Sequence, residues 1–460
     1  MIPIKPERAL LLIGGLLAFG GLSFLIYGKL ERGKPQLAIS PEPLALGKRS
    51  SFVLTMEDKG TGLGHYRVTV EQDGRTEVIA SEEFPGGLHA IQKELTISAE
   101  SHGLRDGPAL LRVEVRDRAW LGGNSTSLEA KLMVDTVPPV LTIQSKFHYV
   151  NQGGSGMVVV QASEPLKWCG VRVGDLWFKG CQMAKENAWI VLFAVPHDAP
   201  SRTSIWIEAE DLASNRTKTS FPYSIKPKKF RQDTIRVTQE FLQGILPYFQ
   251  QRDPSLRGEP QEMFLRINRD HRRESDEKIR ALCSQSTGEP LWSGPFSRMP
   301  NSKPMAGFAD RRSYMWDGKV IDEQVHLGVD LASIAMSPVE AANRGKVIFA
   351  GELGIYGNTV LLEHGCGLFS MYSHLSQILV DVGQFLEKGE VLGVTGSTGL
   401  AGGDHLHFGI LVGGVFVNPI EWWDPHWVKD NVTDKLAIIT QPSPPPGQSP
   451  SGQVGKRAPR

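Results

Sequence analysis

The sequence predicts a mainly β chain built of several modules: an apolar N-terminal helix, two β-sandwich modules, a helical connector and a C-terminal antiparallel β domain. Three observations predict it. The 460 residues amount to about three ordinary domains, too many for one core. Glycine and proline number 49 and 30, which supplies turns between short strands. Most apolar runs are brief or alternating, and helical spacing past the N-terminal segment is confined to residues 226–290. An apolar share of 40% with 22% charged residues excludes wholesale disorder. Fifty basic residues cancel fifty acidic ones, so no nucleic-acid partner is expected.

Residues 9–28, ALLLIGGLLAFGGLSFLIYG, carry no charge and lie between Arg8 and Lys29. A helix of that length, at about 1.5 Å per residue, spans a hydrocarbon core of about 30 Å. Residues 1–34 are therefore expected to form a transmembrane anchor. A cleaved signal peptide is the rival, since Ala18-Phe19-Gly20 loosely resembles a small-x-small cleavage site. Apolar character running on to Tyr27 favours the anchor. Lys5 and Arg8 before the span balance Lys29, Arg32 and Lys34 after it, so charge alone assigns no orientation.

Residues 36–137 and 138–225 read as two modules of short β runs, with Pro138-Pro139 stiffening the joint. Each carries a similar turn: Asp117, Ala119 and Asn124 in the first, Asp211, Ala213 and Asn215 in the second. Both look like bacterial immunoglobulin-like extracellular modules; one larger all-β domain is the alternative. Cys169 and Cys181 flank VRVGDLWFKG, a hairpin turning at Gly174-Asp175. They form either a disulfide, in an oxidising compartment, or two buried thiols. Cys283 and Cys366 have no evident local partner. Residues 226–290 contain TIRVTQEFLQGILPYFQQ and PQEMFLRINRDHRRESDEKIRALCSQ, a helical connector packed on a neighbour or, alternatively, latched over a groove. The Pro/Ser/Gly-rich tail, 440–460, is expected to be disordered.

The chemistry concentrates in residues 291–430. Five of the twelve histidines fall within 326–407, among short Gly-punctuated β runs. His405-Leu406-His407 places two imidazoles on one face of a strand, with Leu406 and Phe408 turned to the core. His326 and Asp330 are four apart, which also allows a shared face on extended chain. Two imidazoles and a carboxylate suit Zn²⁺ with a fourth position open to water, and His374 adds an imidazole able to move protons. Each signal taken alone has a plainer explanation. H-x-H pairs are commonly incidental, and His364 in LLEHGCG reads as a turn residue at a strand end.

In combination and in this order, HLGVD, SMYSHLS, VTGSTG and HLHF resemble the lysostaphin-type (LytM-like) zinc metallopeptidases, over residues 308–423. The resemblance implies that His326, Asp330 and His407 bind zinc and that His374 and His405 are the catalytic histidines. Spacing alone leaves open which of His405 and His407 takes the metal. Asp404 precedes HLHF where many members carry proline. Some members have lost ligands and activate other wall enzymes; here all five positions are filled. The resemblance further implies a peptidoglycan peptide substrate, hydrolysis of its stems or cross-links, and a single-pass topology with the bulk of the chain periplasmic or extracellular. The β modules would then act as spacers or bind envelope proteins.

Other readings remain beside this one. A non-catalytic envelope scaffold or hydrolase activator would keep zinc as a structural element, and a latent enzyme would have its groove blocked by the connector. Gly396, Gly399, Gly402 and Gly403 lack the lysine of a nucleotide-binding loop and read as a tight turn lining the groove. Trp422, Trp423 and Trp427 form either a saccharide-stacking shelf or a packed closing segment.

Overall fold

The computed structural model describes residue 20 and residues 33–41, 44–120 and 122–440. The expected anchor, apart from Gly20, and the tail beyond 440 lie outside the described residues. No described helix is long and apolar enough to cross a membrane. The chain is mainly β, and its described residues fall into two compact units. One comprises those of Met1–Pro139 with Glu210–Arg216; the other comprises Val140–Ala209 with those of Thr217–Arg460.

In the first unit, a three-stranded sheet (Gln36–Ser40, Ser50–Glu57, Ala90–Ile97) and a five-stranded sheet share one core. Strict alternation builds it: Phe52, Leu54 and Met56 from one sheet meet Val68, Val70, Leu111 and Val113 from the other, all buried. The repeated Asp/Asn turn has a common physical basis. Asp117 accepts from the Asn124 backbone N–H (2.6 Å) and side-chain amide (2.8 Å). Asp211 accepts from the same two groups of Asn215, at 2.8 and 2.9 Å. In each case a carboxylate satisfies backbone donors that a sharp turn would leave bare.

The second unit has a continuous core running from Val150 to Ile439. Its β module contains the expected hairpin, Leu166–Val173 against Leu176–Lys179, with Gly174 at φ 57° in the turn. The connector begins differently from expectation: Gln232–Arg236 is a strand paired in parallel with Arg311–Trp316. Helix starts only at Gln239–Arg252, where Thr238 Oγ1 accepts from the Phe241 N–H. Pro247 does not end it, and helical backbone resumes over residues 260–282.

The C-terminal domain is built on one antiparallel sheet. Its strands are β1 (Lys303–Ala306), β2 (Val329–Ala332), β3 (Gly345–Glu352), β4 (Asn358–Gly365), β5 (Leu368–Leu375), β6 (Phe385–Leu386), β7 (Leu406–Val412) and β8 (Val415–Val417). The spatial order is β1-β2-β7-β5-β4-β3-β6, with β8 on β7. Strands β4, β5 and β7 are buried almost throughout, as central strands covered on both faces must be. His364 is not a turn residue. It lies inside β4, fully buried, with Nδ1 donating to the Arg344 carbonyl and Nε2 paired with Ser370 Oγ, each at 2.7 Å. The closing tryptophans pack. Trp422 is fully buried between Phe296 and Trp427, and Trp423 lies over Phe408.

The short helices at the C-terminal end dock on the β module of the same unit. Glu421 accepts from the Asn151 amide (2.6 Å) and the Ser155 N–H (3.1 Å), and Trp422 Nε1 donates to Ser155 Oγ. All four cysteines are free and buried, so Cys169 and Cys181 are thiols and form no disulfide here. The Cys181 and Cys366 thiols are in contact, and both residues converge on the Thr287 carbonyl, reached by the Cys366 N–H at 2.9 Å and by Cys181 Sγ at 3.9 Å.

Candidate active site

Strand register brings the first two site residues together. β2 and β7 pair antiparallel with Asp330 directly opposite His407, so their side chains leave the sheet side by side on the same face. His326 stands just ahead of β2, locked into the preceding chain. Its N–H donates to Asp310 O (3.0 Å), its carbonyl accepts from Ala309 (2.7 Å), and its Nδ1 donates to Gly307 O (2.8 Å). A carbonyl only accepts, so the neutral His326 ring presents a bare Nε2 lone pair to the site.

Three atoms then converge. His326 Nε2, His407 Nδ1 and Asp330 Oδ1 are 2.9–3.0 Å from one another. One lone pair and one anion face the Nδ1 of a second imidazole, and the single proton that Nδ1 can carry satisfies one contact at most. A cation between them satisfies all three, and a His, His, Asp donor set is of the kind that holds zinc. The residues fit a metal. The three are 5%, 9% and 3% exposed, so water does not relieve the crowding. Asp330 Oδ2 accepts from Arg312 Nη2 at 3.0 Å, which leaves Oδ1 to face the histidines. Burial opposes the charge on Asp330, but the surrounding imidazoles of His326, His405 and His407 together hold that carboxyl well below its usual range.

Two further histidines flank this triangle. His374 ends β5 in the left-handed region, at φ 63°, a strained conformation for a non-glycine residue. Its Nδ1 donates to Thr398 O at 2.8 Å, which leaves Nε2 as the free acceptor. Thr398 belongs to the GSTG turn, and Gly357 packs so tightly on it that a Cβ there would strike its backbone. His405, one residue before β7, donates from Nδ1 to Gly403 O (2.8 Å), with Nε2 3.6 Å from Asp330 Oδ1. The His374 and His405 rings are 4.8 Å apart. Burial, then the neighbouring His405 and His407, push His374 well below the ordinary histidine range. In His405, burial is outweighed by the hydrogen bond and charge of Asp330, and its pKa rises. The two rings are thus pushed in opposite directions, a division suited to proton transfer.

All five sequence-predicted residues line one cleft of about 120 Å3. Arg272, Arg312 and Tyr356 also line it and were not picked out by sequence reasoning. Tyr356 is fully buried, stacks near His407 (5.4 Å between centroids) and donates to Asp276 Oδ1 at 3.0 Å. The RR of FADRRSY was a signal for Arg312, but nothing in Tyr356 or Arg272 sets them apart from ordinary core and surface residues.

The sequence profile of Peptidase family M23 matches residues 324–419, the segment that carries all five histidine and aspartate positions. The chain contains an M23 peptidase domain. Among proteins similar to it, the DD-carboxypeptidase/endopeptidase Mpg of Neisseria meningitidis serogroup B is 39% identical over 97 residues, 21% of this chain and 22% of that protein. The peptidoglycan DD-endopeptidase ShyB of Vibrio cholerae is 35% identical over 121 residues, 25% of this chain and 28% of that protein. The chain therefore spans about a quarter of the length of these relatives. The solved catalytic domain of lysostaphin from Staphylococcus simulans aligns over 27% of this chain and 92% of its own length, at 30% identity and a TM-score of 0.24.

Proposed function

We propose that the protein is a zinc-dependent peptidase that hydrolyses peptide stems or cross-links of peptidoglycan. The observation that carries the proposal is the convergence of His326 Nε2, His407 Nδ1 and Asp330 Oδ1 within 3.0 Å, with two more imidazoles beside them. The names of the M23 relatives support the substrate class. In this reading His326, Asp330 and His407 hold the ion, and Arg312 and Gly307 fix the orientation of its ligands. Zinc, when bound, supplies an activated water and a Lewis acid for the scissile carbonyl. His374 takes a proton at Nε2, because its Nδ1–H is committed to Thr398. His405, the more readily protonated ring, offers an Nε2–H to the developing negative charge or to the leaving amine.

The proposal extends to location. Residues 9–28 anchor the chain in the cytoplasmic membrane as a single pass, with the bulk of the chain on the outer side where the wall lies. Membrane fractionation with alkaline extraction checks this: the protein stays in the pellet if anchored and is released if it is not. The activity is tested on purified sacculi. Zinc-loaded protein releases new amino termini, while metal-depleted protein and His326→Ala release none. Release that survives both chelation and His326→Ala would overturn the assignment.

A further inference from the structure

We infer that Arg272 forms a carboxylate-binding subsite next to the scissile bond, so that the enzyme selects peptides with a free carboxylate there. This rests on the peptidase reading above and adds a specificity determinant to it. Arg272 opens the helix Arg272–Leu282 of the connector, outside the M23 segment, yet its side chain lines the same cleft as His326, His374 and His407. It also lines the adjoining cavity of about 520 Å3, where Arg311 and Arg312 stand beside the carboxylates of Asp198, Asp276 and Glu323. Arg272 therefore stands at the junction of two cavities that an extended peptide would cross.

Its guanidinium is held in place rather than free to swing. Nε donates to the Asn268 carbonyl (3.1 Å) and Nη2 to Asn268 Oδ1 (2.7 Å), one turn back on the helix. Of the five N–H donors of the fork, three are left without a partner among the described residues. Asp276, within charge-interaction range of Arg272, and Asp330 are each also engaged by another side chain. Asp276 accepts from Tyr356, and Asp330 Oδ2 accepts from Arg312. A half-buried, pre-oriented fork with spare donors, facing a catalytic cleft whose one lining carboxylate, Asp330, is held by Arg312 and the histidines, matches a carboxylate from outside. Arg312 is less available for that task, because its bond to Asp330 holds it in the site.

The carboxylate belongs either to the end of the peptide chain or to an acidic side chain within it, and amidation distinguishes the two. Three synthetic stem peptides are compared by calorimetric titration against both zinc-loaded and zinc-free protein: unmodified, amidated at the C-terminus, and amidated on the internal acid. Loss of one charge-assisted pair is expected to weaken binding by about tenfold or more for one of the two amidations. Whichever does so names the group that Arg272 reads. Arg272→Gln abolishes that ratio, and Arg272→Lys, which keeps the charge without the fork, retains part of it. Both variants are first checked for an unchanged circular dichroism spectrum. Equal binding of all three peptides by the wild type would overturn the inference, as would a ratio that survives in a folded Arg272→Gln. Failure to cleave any peptide would count against the peptidase reading alone, since the binding ratio is read without turnover.

Discussion

His364 makes the C-terminal sheet sensitive to acid, and the effect can be sized from its surroundings. The ring is fully buried in β4, and burial lowers its pKa from 6.5 to about 4 despite the Arg344 carbonyl that favours the charged form. An unfolded chain takes up this proton near pH 6.5, but the folded chain does so only near 4. Between those values the unfolded state holds more protons, so stability is fully present above 6.5 and falls as the pH drops toward 4. The interval corresponds to about 3 kcal/mol in full, of which about 2 kcal/mol is lost by pH 5. His364→Gln removes the titration and keeps a neutral donor and acceptor for Arg344 and Ser370. The assay is native-state hydrogen exchange of the amides in residues 358–375 at pH 7.5 and pH 5, corrected for intrinsic rates. The opening free energy of the wild type should drop by about 2 kcal/mol more than that of the variant. Any uniform cost of the substitution cancels in this comparison. A difference under about 0.5 kcal/mol would show that His364 is not held neutral by burial, and the reasoning would be refuted.

Further outcomes follow from the packing. Trp422→Ala should lower stability by about 3–5 kcal/mol in urea titrations, because it empties the space between Phe296 and Trp427; a loss below about 1 kcal/mol would instead fit a surface shelf. Glutathione disulfide should oxidise Cys181 and Cys366 to one disulfide. The two thiols lose two protons and two electrons, and the oxidant becomes two glutathione thiols. Peptide mapping without reductant should find the 181–366 link, and a 169–181 link would contradict the contact seen here. Glu421→Ala should cost about 2 kcal/mol, since it leaves the buried Ser155 N–H and the Asn151 amide without their acceptor, whereas Glu421→Gln, which keeps one acceptor, should cost less.

The parts of the fold and site that were legible in the sequence are those set by short-range periodicity. The i, i+2 relation of His405 and His407 holds, since both line the cleft where extended chain enters β7, while Leu406 between them is buried and does not line it. The shared side of His326 and Asp330 does not come from one strand, since His326 precedes β2; hydrogen bonds to Gly307 and Asp310 aim it instead. The left-handed backbone at His374 has no local signature, as it depends on the Thr398 carbonyl 24 residues away. Long-range pairing also explains the misses. His364 looks like a turn residue beside Gly365 until β3 and β5 close over it. The segment at Gln232–Arg236 has helical spacing, yet it becomes a strand because Arg311–Trp316 offers a free edge. Arg272 gains a role only when the connector folds back on the cleft.

The account stands most directly on one measurement, the zinc content of purified protein and of its single variants by elemental analysis. One zinc per chain is predicted for the wild type and for His374→Ala. It is predicted to be lost, or weakened by orders of magnitude, in His326→Ala, Asp330→Ala and His407→Ala. A wild type that binds no zinc, or a His326→Ala variant that keeps its full complement, would contradict a metal centre built from these three side chains.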